Sequence, residues 1–177
     1  MKQQWPILYL PIDLFSKMYG LAAASLPNEI LGVGEIDDKL MVLSTDTLHQ
    51  KVAPSFCKAD EGAMQDYLYQ KIMADIDTEQ VRFRWHSHGR GGVFWSMWDE
   101  QDIESWTGAW VVNLLINARG EMAARLDLFE PLRLTVPLEV ELVPNAEAQL
   151  GYQQTVAEYC KEGVMQFDQL QRPTGIL

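Results

Sequence analysis

The chain has 177 residues, of which 14 are basic and 25 acidic, giving a net charge of −11; 47% of residues are hydrophobic and 22% charged. That composition excludes a disordered or collagen-like chain, and the length favours one domain with a substantial core. A chain this acidic repels the DNA and RNA backbone, so no nucleic-acid partner is expected and a neutral or basic protein surface suits it better.

Residues 5–12 are apolar but carry Pro6 and Pro11 and stop at Asp13. They read as a strand or an ordered arm, a poor signal peptide, and no stretch is long enough to span a bilayer, so no membrane association is expected. Cys57 and Cys160 form neither a CxxC pair nor a disulfide framework. Each reads as a small buried apolar residue in a reducing compartment. The expectation is a soluble, cytoplasmic protein.

Residues 13–24 place Leu14, Met18, Leu21 and Ala22 on one side, which predicts a helix, ended by Ser25-Leu26-Pro27-Asn28. Two strands are expected next, Ile30 to Ile36 pairing with Leu40 to Leu43 across Asp37-Asp38-Lys39. Residues 44–60 read as irregular, with His49 on the surface. Residues 61–75 predict a helix with Met64, Leu68, Ile72 and Met73 inward. Residues 81–88 alternate: Val81, Phe83 and Trp85 face one way, and Arg82, Arg84, His86 and His88 the other. Asp99 to Trp106 predicts a helix, Trp110 to Asn117 a central strand, and residues 121–128 a strand with Met122, Ala124, Leu126 and Leu128 inward. Residues 132–142 alternate again, and Pro137 suggests an edge strand. A last helix is expected over 146–170, with Tyr152, Val156, Tyr159 and Phe167 as its stripe. Strands mixed with helices predict an α/β or α+β sandwich within a single 1–177 domain.

The chemistry concentrates between His86 and Asp99. Histidines at i and i+2 of a strand project from one face, so both imidazoles can reach one metal ion. Asp99, returned by a ten-residue loop, can supply a third ligand and leave a fourth tetrahedral position for water, as in catalytic zinc sites. Nitrogen and oxygen donors fit zinc without excluding other divalent metals. Glu29 can face the metal if its strand lies beside that of His86, and can then move protons as general base and acid. Ser96 can donate to a developing oxyanion.

The spacing His86-x-His88, seven residues, Ser96, two residues, Asp99 resembles the motif of the JAMM, or MPN+, metallopeptidase family. Glu29, preceded by Pro27 and followed by Gly32, resembles that family's upstream glutamate motif. The resemblance covers roughly residues 5–142. It implies an MPN-like (cytidine-deaminase-like) mixed β-sheet flanked by helices. It also implies a zinc cofactor on His86, His88 and Asp99, and catalytic roles for Glu29 and Ser96. The implied activity is hydrolysis of an amide bond at the C-terminal tail of a ubiquitin-like protein or its conjugate. Two alternatives stay beside it: a zinc hydrolase of small amides, and a silent MPN scaffold, which typically lacks the histidines or aspartate kept here. One position departs from the family. Where many members have proline after the second histidine, this chain has Gly89, so a more mobile loop is expected. Phe94, Trp95 and Trp98 read as core more readily than as a substrate groove. Arg82 and Arg84 are expected to meet acidic side chains rather than substrate.

Overall fold

The computed structural model describes residues 5–145. In chain order, β1 (Ile7–Pro11) leads into α1 (Ile12–Ser25), then β2 (Leu31–Gly34), β3 (Asp46–Thr47), β4 (Gln50–Ala53), β5 (Phe56–Ala59) and α2 (Ala63–Met73). After a 3-10 turn at Thr78–Gln80 come β6 (Phe83–Ser87), α3 (Met97–Glu104), β7 (Trp110–Ile116), β8 (Met122–Leu128) and β9 (Leu134–Val143). Seven strands form one mixed sheet in the order β1-β9-β8-β7-β6-β2-β3, and β4 pairs with β5 in a separate hairpin. β6 runs parallel to β7 and antiparallel to β2, so the strand that carries the histidines is central. The chain up to Val143 is one compact unit. The expected helix over 146–170, and Cys160 with it, lie outside the described residues. Among the described residues no helix is long and apolar enough to cross a membrane.

Burial explains the layout. Trp85, Phe83, Leu114 and Ile116 from the central strands pack with Met18 and Ala22 of α1, all essentially without solvent exposure. Met18, Ala22, Phe83 and Trp85 come from the predicted inward faces of residues 13–24 and 81–88, and Leu114 and Ile116 from the predicted central strand. Burying several large apolar side chains, each contributing roughly 1.5–3 kcal/mol, makes this the main stabilising layer.

Four local expectations need correction. Leu40 to Leu43 forms no strand: Leu40 takes a left-handed φ of 61°, and Asp37 Oδ1 accepts from the backbone N–H groups of Lys39 and Met41. That side-chain turn leaves only single bridges, Ile36 with Val42 and Tyr9 with Met41. β2 pairs instead with β3 and β6. Residues 44–60 are ordered as β3, β4 and β5 rather than irregular. Their polar composition hides this, because Gln50 acts as a side-chain strand partner. Its Oε1 accepts from Leu31 N at 2.9 Å and its Nε2 donates to Leu31 O at 2.9 Å. Gly32 lets β3 and the Trp85 indole approach β2 closely, since a Cβ there would collide with the Asp46 carbonyl and with Trp85 Nε1.

α2 keeps only the first half of its expected face. Met64 and Leu68 pack against the core beside the buried Ala63 and Tyr67, whereas Ile72 and Met73 are 61% and 69% exposed. Polar partnership decides the difference: the Tyr67 hydroxyl and Lys71 ammonium turn inward to reach Glu35, and Ile72 and Met73 are left outside. Finally, β9 is not an edge strand, because β1 covers it. Pro137 is tolerated for a geometric reason. N–H groups of alternate strand residues point the same way, and Glu139 N donates toward β1, to Pro6 O. The missing donor of Pro137 therefore faces the β1 side just before that pairing begins at Glu139.

Candidate metal centre

The carboxyl end of β6 presents its polar face as the alternation requires. His86 pairs in register with Leu31 of β2 and Leu115 of β7, and His88 N donates to Ile116 O beyond the strand end. The two Nε2 atoms stand 3.3 Å apart. The contact between His88 Nδ1 and the Gly92 carbonyl, 3.0 Å, places a proton on Nδ1 and leaves the Nε2 lone pair free to bind a metal. Asp99 Oδ1 lies 3.0 Å from His86 Nε2 and Asp99 Oδ2 3.6 Å from His88 Nε2. The ligand atoms of His86, His88 and Asp99 all fall within 4.8 Å of one another. Two neutral imidazoles and one carboxylate suit a borderline divalent ion such as zinc.

Ser96 and Asp99 are brought together by helix-start chemistry. Ser96 is the N-cap of α3: its Oγ accepts from Asp99 N at 3.2 Å, and Ser96 N donates to Asp99 Oδ2 at 2.6 Å. This reciprocal capping box aims the carboxylate at the histidines. It also leaves the Ser96 hydroxyl proton free to donate elsewhere. Burial pushes the Asp99 carboxyl up, but in the metal-free chain the adjoining His86 and His88 rings, when they carry a proton on Nε2, and the bond from Ser96 outweigh it and hold the group well below the usual carboxylate range. Burial disfavours charge on His88, and the bonds to Asp99 and Gly92 overcome that, so its pKa is raised.

Glu29 arrives from the neighbouring strand, as the sequence reading required. Its backbone N–H donates to Ala53 O at 2.9 Å, and Ser87 Oγ accepts from Ile30 N at 3.1 Å. These bonds pin the entry to β2 beside the end of β6. Two residues before Leu31, Glu29 shares the sheet face of His86. Burial raises its pKa to about 7; the His88 charge works against the rise and Asp99 adds to it.

These groups line a cleft of about 810 Å³. Its wall includes Phe56 and Cys57 of β5, together with Phe94 and Trp98. Phe94 and Trp98 are 61% and 68% exposed, so the core reading fails for both. Trp95 is half-buried under the Arg125 guanidinium, 4.5 Å from its ring centre. Cys57 is half-buried at the cleft rather than in the core, and burial, with Glu29 and Asp99 nearby, pushes its thiol up to about 12. It stays protonated and unreactive at neutral pH. Arg84 pairs with Asp102 and Arg82 with Glu79, as expected, and His49 is exposed.

The Gly89 departure has a backbone reason. Gly89 has φ +48°, which a proline ring, locked near −65°, cannot adopt. The loop expected to be mobile is tied down at several points. Gly91 N donates to His88 O, Ala118 N to Gly89 O, and Asn117 Nδ2 to Gly91 O at 2.8 Å. Sequence reasoning missed Asn117 and the buried Arg125–Asp127 pair. The available signal was charged and amide side chains interrupting apolar strands, which need partners when buried.

No family model matches the chain, and no curated protein matches it. Among solved structures, the chain is similar to the solution structure of protein DSY2949 from Desulfitobacterium hafniense. The two are 17% identical, the match covers 80% of this chain and 96% of that one, and the TM-score is 0.57. At that identity the likeness speaks to the fold alone, a mixed α/β architecture.

Proposed function

We propose that the protein is a JAMM-type zinc metallopeptidase with an MPN-like fold. It hydrolyses an amide bond at the C-terminal tail of a ubiquitin-like protein or its conjugate. The observation that carries this reading is the meeting of His86, His88 and Asp99 at one point, with Glu29 supplied by the adjacent strand and Ser96 by the cap of the helix that bears Asp99. A silent scaffold would have no use for that convergence.

Zinc, when bound, supplies a Lewis acid that polarises the scissile carbonyl and makes water more acidic. The chain's own groups do the rest. Glu29, with a pKa of about 7, is poised to take a proton from the attacking water at neutral pH. Water oxygen bonds to the carbonyl carbon, the C–N bond breaks, and Glu29 returns its proton to the leaving nitrogen. The Ser96 hydroxyl donates to the oxyanion of the tetrahedral intermediate. An extended tail can add alongside β5, which lines the cleft and belongs to a two-stranded sheet. Phe94 and Trp98 flank the approach and favour small residues next to the cut.

The test combines metal analysis of the purified protein with cleavage of ubiquitin-like proteins carrying C-terminal extensions. Small acyl amides and a chelator serve as comparisons. The expected result is one zinc per chain and chelator-sensitive cleavage of the protein tails. Cleavage of the small amides alone would replace this reading with the small-amide hydrolase, and absence of divalent metal after zinc addition would end both.

A further inference from the structure

We propose that Arg125 is a positioning residue for the metal centre, setting where α3 begins and therefore where the Asp99 carboxylate stands; this rests on the metal-site reading above. α3 is eight residues long and buries only Ile103, so apolar packing does little to fix its position. A buried guanidinium does more. Arg125 of β8 grips Glu100, the residue next to Asp99, with a two-bond fork: Nη1 to Oε1 at 2.6 Å and Nη2 to Oε2 at 2.7 Å. Such a fork fixes orientation as well as distance.

Arg125 is itself held. Its Nε donates to Asp127 Oδ2 at 2.9 Å. The Asp127 carboxylate also accepts from Asn113 of β7 at 2.9 Å and from Thr135 of β9 at 2.8 Å. Three adjacent strands thus fix Asp127, Asp127 fixes Arg125, and Arg125 fixes Glu100. The guanidinium also lies over the Trp95 ring, which stands edge-on to His86 with centroids 6.0 Å apart. Arg125 therefore grips both ends of the 95–100 segment that carries Ser96 and Asp99. Arg125 and Asp127 form the buried ion pair of this chain of contacts, and a buried ion pair is a poor source of net stability compared with an apolar substitute. It is better explained by the geometry it imposes on the fork to Glu100.

The experiment measures zinc affinity by chelator competition, well below the melting temperature, for the full chain and its R125Q, R125K and E100A variants. E35Q serves as a control, because it disrupts a different buried ion pair in the same unit. The expected result is a 10–100-fold loss of zinc affinity in R125Q, the size seen when a partner behind a metal ligand is removed. R125K restores part of the loss, and E35Q lowers the melting temperature without weakening zinc. Glu100 is half-exposed, so E100A folds even if R125Q does not, and a several-fold loss is expected there. R125Q or E100A binding zinc within twofold of the unaltered chain would overturn the positioning role alone. Affinity losses that merely track melting temperature, E35Q included, would do the same. An unaltered chain that binds no zinc would overturn the metal-site reading itself.

Discussion

Two glutamates flank β2, six residues apart, and the fold treats them in opposite ways. Glu35 is buried, with the Lys71 ammonium at 2.9 Å, the Tyr67 hydroxyl at 2.9 Å and the Ser44 hydroxyl as donors. Burial raises its pKa, and those partners together pull it below the usual value. Glu29 faces the cleft, and burial lifts it to about 7. Glu35 has its counter-charge built into the chain. Among the described residues, the charges acting on Glu29 are those of His88 and Asp99, which oppose each other, and it keeps a proton affinity useful near neutral pH. A closed cluster holds the fold together, and an open one is available for chemistry.

The sharpest way to break this contrast is to remove each carboxylate in turn. E29Q is expected to retain zinc and fold while turnover falls by roughly 10²–10⁴, read by metal content and steady-state cleavage. Near-normal turnover would require another base. S96A comes next, with turnover lower by about 10²–10³ from a lost oxyanion donor and metal content little changed. Losing the cap also costs about 1 kcal/mol of stability, read by denaturant unfolding. E35Q is expected to act on stability alone, by about 3 kcal/mol, the lower end for stripping one partner from a buried pair, since Asp46 stays 3.4 Å from Lys71. If E35Q reduced turnover as E29Q does, the two regions would not be separable.

The smallest expected effect is one of pH, and its sign differs between the two groups. Glu35 holds its proton less tightly when folded. It contributes stability above pH 4.5, and that is lost as pH falls through its lowered folded value. Glu29 holds its proton more tightly when folded. Its ionisation weakens the metal-free fold progressively as pH rises from 4.5 through about 7. In chelator-treated protein, thermal melts of E29Q should show a gain of a few degrees at pH 8 and almost none at pH 4. The opposite order would mean that Glu29 has a partner in the fold.

Much of the site was legible because it rests on short-range rules. Alternation along 81–88 puts His86 and His88 on one face, and that holds wherever the strand is placed. The loop and helix start that return Asp99 were also readable, although assigning the cap to Ser96 needed the tertiary structure. The aromatic side chains were not legible. Phe94 and Trp98 are large aromatic residues of the kind that fills cores, and only the placement of the loop bearing Phe94 and of the first turn of α3 bearing Trp98 leaves them exposed at the cleft.

From sequence alone came the spacing of His86, His88, Ser96 and Asp99, the inward faces of α1 and β6, the central position of β7, and the acidic balance, all set by local periodicity and composition. Tertiary structure alone decided that Tyr67 and Lys71 rather than Ile72 and Met73 turn inward on α2, that 46–59 forms strands, and that β9 is covered by β1. It also decided that Arg125 reaches across from β8 to the residue beside Asp99. The reason is common to all four. Each depends on polar groups finding partners distant in the chain, and a buried donor or charge is stabilised by geometry that no local pattern encodes.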